Sequence, residues 1–237
     1  MTGIVFDIDD TLYCRQDMLV RAAEIVLDKK IDDRGRFITL FYEKSEINMS
    51  KLESGEISTR EINGWRYCET FKELGLPYHE DDGVKSADAY LELQSHMKLS
   101  NDMIRVLDLF ASDPDIKLAI LTAGESNHQW HKVEMLGLER WFTRADVVLT
   151  GETPYTKPDV RIMRMLEKKL NLQPSDLWMI GDSYKHDISG AIEAGWHSVW
   201  INRRDLPAPD AAPDIEVKSD KELTDALMNV IKSVQNI

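Results

Sequence analysis

Four short runs of consecutive apolar residues, Lys117–Leu121, Asp146–Leu149, Leu177–Ile180 and Ser198–Ile201, constrain the fold of this chain most strongly. Each is too short for a core helix, and none shows the in–out alternation of a strand with one wet face, so they read as buried parallel strands. Gly3–Phe6 is a further strand of the same kind, and Ile215–Val217 is a shorter candidate. Amphipathic segments fill the intervals. Ser126–Leu136 aligns Trp130, Val133 and Leu136 and stops at Gly137; Val160–Leu170 aligns Met163, Leu166 and Leu170; Ile188–Ala194 stops at Gly195. The two glycines stand where a helix end wants a left-handed residue. Lys221–Val234 closes the chain with Leu223, Leu227, Val230, Ile231 and Val234 on one stripe. Regular strand–helix alternation predicts a doubly wound α/β fold with a mainly parallel sheet.

Residues 14–97 have a different texture, with no convincing strand. Arg15–Lys29, Gly35–Met49, Ser58–Leu74 and Val84–Met97 read as helices, the third opening on a Ser58/Glu61 capping box and closing at Gly75. Its apolar stripe is Ile62, Trp65, Phe71 and Leu74. The expected organisation is an α/β core, residues 1–13 and 98–237, carrying a small helical domain, residues 14–97.

The formal charge of −13, from 29 basic and 42 acidic residues, disfavours nucleic acid as a general partner. A small anionic substrate stays compatible, because local cations and a metal override the global field. Cys14 and Cys68 show no CxxC spacing, which argues against a disulfide framework or a zinc site. The acidic N-terminus does not read as a signal peptide and no run of about eighteen apolar residues occurs, so no membrane partner and a cytoplasmic location are expected. Leu206–Asp214, rich in Pro, Ala and Asp, reads as a surface loop. Monomer and homodimer both stay open.

Four motifs follow strand ends in order: FDIDDTL (Phe6–Leu12), LTAGE (Leu121–Glu125), TKPD (Thr156–Asp159) and GDSYKHD (Gly181–Asp187). Ligands of open parallel sheets bind at the carboxyl ends of strands. Asp7, Asp9 and Asp10 would repel one another there unless a cation sat among them, and oxygen-only ligands select magnesium. Thr122 offers a hydroxyl, and Ala123 and its neighbours offer backbone N–H groups at a turn entering a helix, a cradle for an anion. Lys157 can neutralise a phosphate oxygen, and Asp182 and Asp187 can complete a metal site. Singly these are a solvated turn, a helix cap and a loop lysine; together they balance charge around one phosphoryl group and one Mg²⁺.

These motifs resemble the four ordered motifs of the haloacid-dehalogenase superfamily, in its phosphatase branch, and the helical insertion resembles the cap that such enzymes carry after the first motif. The resemblance implies a Rossmann-like core and hydrolysis of a small soluble phosphomonoester through an aspartyl phosphate. Asp7 would be the nucleophile. Asp9 would protonate the leaving alkoxide and then serve as base toward water, its backbone carbonyl also binding Mg²⁺. Asp7, Asp182 and Asp187 would complete the metal site. Asp10, Thr122, Ala123 and Lys157 would bind the phosphoryl group. Asp9 argues against dehalogenation, since true dehalogenases lack this second acid.

The resemblance gives the cap a role in substrate choice. Tyr13 and Cys14 are pocket or hinge candidates. Arg15, Arg21, Arg36, Arg60 and Arg66 are candidates for an anionic substrate or, more plainly, solvated helix residues. Tyr67, off the apolar stripe, is a candidate for stacking on a nucleobase. His128 and His131 are rim candidates, and His186 is expected to point outward. The FDIDDTLY start resembles that of the FDIDNTLY-type pyrimidine nucleotidases, and phosphoglycolate-type phosphatases are a second resemblance. A phosphomutase or phosphonatase on the same scaffold, a receiver-type signalling domain and a phosphoryl-binding regulatory protein are the alternatives.

Overall fold

A computed structural model describes residues 1–44, 47, 51, 55–207 and 211–235, the last three by backbone alone. Six strands form one all-parallel sheet in the order β3-β2-β1-β4-β5-β6. They are β1 Thr2–Phe6, β2 Ile116–Thr122, β3 Val147–Leu149, β4 Leu177–Gly181, β5 His197–Ile201 and β6 Ile215–Val217. The α/β fold is therefore doubly wound, and the order reverses between β1 and β4, where crevices open at the strand ends.

Both faces of the central strands are buried, which is why their sequences do not alternate in polarity. Val5, Ala119, Leu121, Val148 and Met179 pack against Ile162, Met163 and Leu166 of α7 (Val160–Leu170) and Ala191 and Ala194 of α8 (Ser189–Ala194). The adjacent residue Phe6 projects to the other side, where its ring meets Phe110 of α5 (Asn101–Ser112) edge-on at 6.3 Å. That helix, capped by Ser100 on the Met103 N–H, was not assigned from sequence. It packs with α9 (Asp220–Gln235), on which Leu223, Leu227, Val230 and Ile231 are buried as expected. The side chain of Val234 lies outside the described residues. Gly137 and Gly195 take the left-handed backbone predicted for them, with φ of 64° and 79°.

The chain divides into two compact units, Met1–Cys14 with Lys98–Ile237 and, separately, Arg15–Met97. Four helices are described in the second: α1 Gln16–Leu27, α2 Arg34–Glu43, α3 Thr59–Glu73 and α4 Asp82–Gln94. The predicted extension of α2 toward Met49 falls on residues 45, 46, 48 and 49, and part of the predicted 206–214 loop on 208–210; both lie outside the described residues. The Ser58/Glu61 capping box is present. The buried face of α3, however, is Ile62, Asn63, Arg66, Tyr67, Thr70 and Phe71, and Trp65 is only half-buried. Tyr67 is fully buried between Phe37, Phe41 and Phe71, its hydroxyl donating to the Leu19 carbonyl at 3.0 Å. It is a core residue and has no face to offer a nucleobase. Arg66 is buried and donates to Asn63 Oδ1 at 3.0 Å, so the solvated reading does not hold for it. Arg15 is likewise engaged, by the Tyr42 hydroxyl and ring.

Candidate active site

Asp7 follows directly on β1 and is fixed to the sheet by its N–H, which donates to the Ile180 carbonyl of β4 at 2.9 Å. It is buried, and so are Lys157 and Asp187. The Lys157 ammonium donates to Asp7 Oδ1 at 2.8 Å, to Asp187 Oδ1 at 2.6 Å and to the Leu121 carbonyl at 3.2 Å. One lysine thus ties together the ends of β1 and β2 and the turn after β4. Its bond to Pro158 is cis, and Asp159, accepting from the Arg161 N–H, caps α7. Pro158 therefore precedes the cap and is not part of the first helical turn.

The fourth motif is held by one turn of π-helix, Tyr184–Ile188. Ser183 caps it by accepting from the His186 N–H, and Asp187 Oδ2 accepts the Ser183 N–H at 3.1 Å. Asp182 is half-buried, and Trp200 of β5 donates to its carbonyl. One carboxylate oxygen from each of Asp7, Asp182 and Asp187 falls within 4.8 Å of the others.

Electrostatics follow from this burial. Loss of water pushes the Asp7 carboxyl up; Lys157 opposes this, Asp187 and Asp9 add to it, and the result is about 6. Burial pulls the Lys157 ammonium down, but Asp187 and Asp7 outweigh it and hold the ammonium above its ordinary value. With all groups ionised, three carboxylates face one ammonium, which leaves two negative charges in an all-oxygen cluster. A divalent hard cation fits that donor set.

Asp9 is arranged differently. Its Oδ2 accepts from Lys132 Nζ at 2.5 Å and from Gln129 Nε2 at 3.2 Å, and its Oδ1 accepts from the Tyr13 hydroxyl. The Asp9 carboxylate is not part of the cluster formed by Asp7, Asp182 and Asp187. Gln129 and Lys132 are one turn apart on α6 (Ser126–Met135) and both are buried. Sequence reasoning missed them, because it took Trp130 for the buried face. Trp130 instead lies half-exposed, donating to Glu152 and covered by the Arg144 guanidinium at 4.2 Å. The one available signal was a Gln and a Lys spaced i, i+3 on the helix entered from the Thr122 turn.

Thr122 ends β2 and is buried, and the Ala123 carbonyl accepts from Gln129 at 2.9 Å. Asp10 is buried with φ of 56°, and its carbonyl accepts from Arg203 Nη1. The His186 ring lies 3.4 Å from the Lys157 carbonyl, half-buried and not turned outward as expected. His128 is half-buried and His131 exposed. Among the described residues, no helix is long and apolar enough to cross a membrane.

Comparison with known proteins decides the family. The profile of the haloacid dehalogenase-like hydrolases matches residues 1–195. This chain belongs to the haloacid dehalogenase-like hydrolases. It is an enzyme, and relatives aligned over nearly its whole length group it with the phosphatase branch. A glyceraldehyde 3-phosphate phosphatase of Methanopyrus kandleri is 25% identical over 97% of this chain and 98% of its own. The pyrimidine 5'-nucleotidase PynA of Streptococcus pneumoniae is 26% identical over 98% and 97%. Among solved structures, the HAD hydrolase YfnB of Bacillus subtilis, bound to magnesium, superposes with a TM-score of 0.68 over 96% of this chain and 98% of that one at 22% identity, which supports the fold.

Proposed function

We propose that this hydrolase is a Mg²⁺-dependent phosphomonoesterase acting on a small phosphorylated metabolite through phosphorylated Asp7. The observation that carries the reading is the Lys157 ammonium seated between Asp7 and Asp187, which leaves the three-carboxylate cluster two charges short of neutrality. In the first step an Asp7 oxygen bonds to phosphorus as the ester P–O bond breaks, and Asp9 gives its proton to the departing alkoxide. In the second, water bonds to phosphorus, the Asp7–phosphorus bond breaks, and the water proton passes to Asp9. Lys157, the Thr122 hydroxyl, the Ala123 N–H and the Asp10 backbone would hold the phosphoryl oxygens as charge builds on them. Asp7, Asp182, Asp187 and the Asp9 carbonyl would hold Mg²⁺, which supplies further charge neutralisation when bound.

The two relatives named above act on different phosphomonoesters, a triose phosphate and a pyrimidine nucleotide by name. The shared chemistry is a small soluble ester, and the substrate is assigned by test. Phosphate release from nucleoside monophosphates, triose and sugar phosphates, phosphoglycolate and an aryl phosphate is measured with Mg²⁺, with EDTA, and in Asp7→Asn. Metal-dependent release abolished in the variant is expected. Folded, Mg²⁺-binding protein that releases phosphate from no ester would overturn the reading.

A further inference from the structure

Two side chains of α6 reach a group that the proposed reaction depends on. Lys132 and Gln129 converge on the same oxygen, Asp9 Oδ2, at 2.5 and 3.2 Å, while the Tyr13 hydroxyl occupies Oδ1. Only 2% of Lys132 is exposed to solvent. A buried ammonium is costly unless it is paired, so its place in the core is explained by Asp9. Gln129 spans two loops with one nitrogen, donating also to the Ala123 carbonyl. The close approach needs glycine at 124: its φ is +134°, and a Cβ there would fall 2.7 Å from Gln129 Nε2. The loop that follows Thr122 and the loop that carries Asp9 are thus joined through α6.

We infer that Lys132, assisted by Gln129, is a positioning residue that holds the Asp9 carboxylate apart from the Asp7–Asp182–Asp187 cluster and aims it at the leaving-group oxygen. This inference rests on the phosphatase reading above. Without the ammonium, Asp9 is one more anion beside an acidic cluster and is drawn into it when a cation binds. The acid would then stand in the wrong place for proton delivery, and small displacements of a reacting group cost heavily.

The test uses the leaving group. An alkyl phosphomonoester needs a proton on its departing oxygen and 4-nitrophenyl phosphate does not, and kcat/KM reports only steps up to phosphoryl transfer. Lys132→Met is expected to lose about 10²-fold in kcat/KM on the alkyl ester, the lower end of what general acid catalysis supplies, and less than about threefold on the aryl ester. Lys132→Arg should recover much of the loss. The double variant with Asp9→Asn should lose no more than Asp9→Asn alone, because both act through one carboxylate. Gln129→Leu gives the same selectivity at smaller size and serves if Lys132→Met does not fold. Equal losses on both esters, no loss on either, or losses that multiply in the double variant would overturn the assignment. A wild-type enzyme that hydrolyses neither ester would instead remove the phosphatase reading on which it stands.

Discussion

A side chain cannot be added to Gly181 without displacing Asp187. A Cβ at the end of β4 would lie 2.4 Å from Asp187 Oδ2 and 2.5 Å from its Cβ and Cγ. The backbone of the strand is therefore the wall against which the Lys157-bound carboxylate rests. Gly181→Ala should cost about 1–3 kcal/mol of stability, as overpacking does. It should also weaken Mg²⁺ binding, because Asp187 must move. Urea unfolding and a Mg²⁺ titration of the variant check both.

Lys157 is held by two buried carboxylates. Lys157→Met leaves both without their partner, a loss of about 3–5 kcal/mol for a broken buried pair. Added Mg²⁺ should restore part of it, since a cation in the cluster replaces some of the missing charge. Thermal unfolding with EDTA and with Mg²⁺ measures the difference. Phosphate release should fall by about 10²–10³-fold even with saturating metal, as for other lost electrostatic donors.

Asp7 titrates at about 6 in the folded, metal-free protein, against 3.8 ordinarily. Between these values the folded chain binds the more protons, so metal-free stability should fall as pH rises from about 4 through 6. Mg²⁺ needs the ionised carboxylate, so its affinity should rise over the same interval. Melting temperatures in EDTA against pH should show the downward slope in wild type and a shallower one in Asp7→Asn.

In the helical unit, Glu24 is buried on α1. Its oxygens accept from Ile31 N at 3.3 Å, Lys30 Nζ at 3.1 Å and Arg34 Nη1 at 3.2 Å. Burial alone would raise its carboxyl; the Ile31 and Lys30 hydrogen bonds and the Lys30 and Arg34 charges together hold it below 4.5. The stability it supplies is fully present above the ordinary value and is lost as pH falls through the lower folded one. Lys30 and Arg34 are substantially exposed, so screening keeps the effect modest. Glu24→Gln should destabilise by about 1–2 kcal/mol at pH 7. The gap from wild type should narrow below pH 4.5 in an acid series of denaturation curves.

The strands and the acids at their ends were legible because a buried parallel strand writes itself as a continuous apolar run, and the residue after it faces the ligand edge. Asp7, Thr122 and Asp182 follow from that rule, and the Gly137 and Gly195 stops follow from the left-handed residue that a helix end wants. Strand order does not, since nothing local in Gly3–Phe6 says that it pairs with both β2 and β4. Tyr67 was misplaced because two apolar faces compete on α3, and packing against Phe37 and Phe41 from α2 decides between them. Lys132 and Gln129 are not legible as site residues because the carboxylate that accepts from both, Asp9, lies 123 and 120 residues away in the chain. Helix α5 carries Met103, Val106, Leu107 and Phe110 behind a Ser100 cap, a helical spacing that the sequence itself displays.

In the proposed reaction Asp7 carries the phosphoryl group. The direct measurement is an acid quench of Asp9→Asn turning over 4-nitrophenyl phosphate with Mg²⁺, followed by peptide mass spectrometry. This ester needs no acid to leave, while the variant lacks the base that clears the intermediate, so phosphoenzyme should accumulate. One phosphoryl mass is expected on the peptide containing Asp7, absent in Asp7→Asn/Asp9→Asn. Nitrophenol release with no phosphoryl mass on any peptide, or with that mass on a residue other than Asp7, would contradict it.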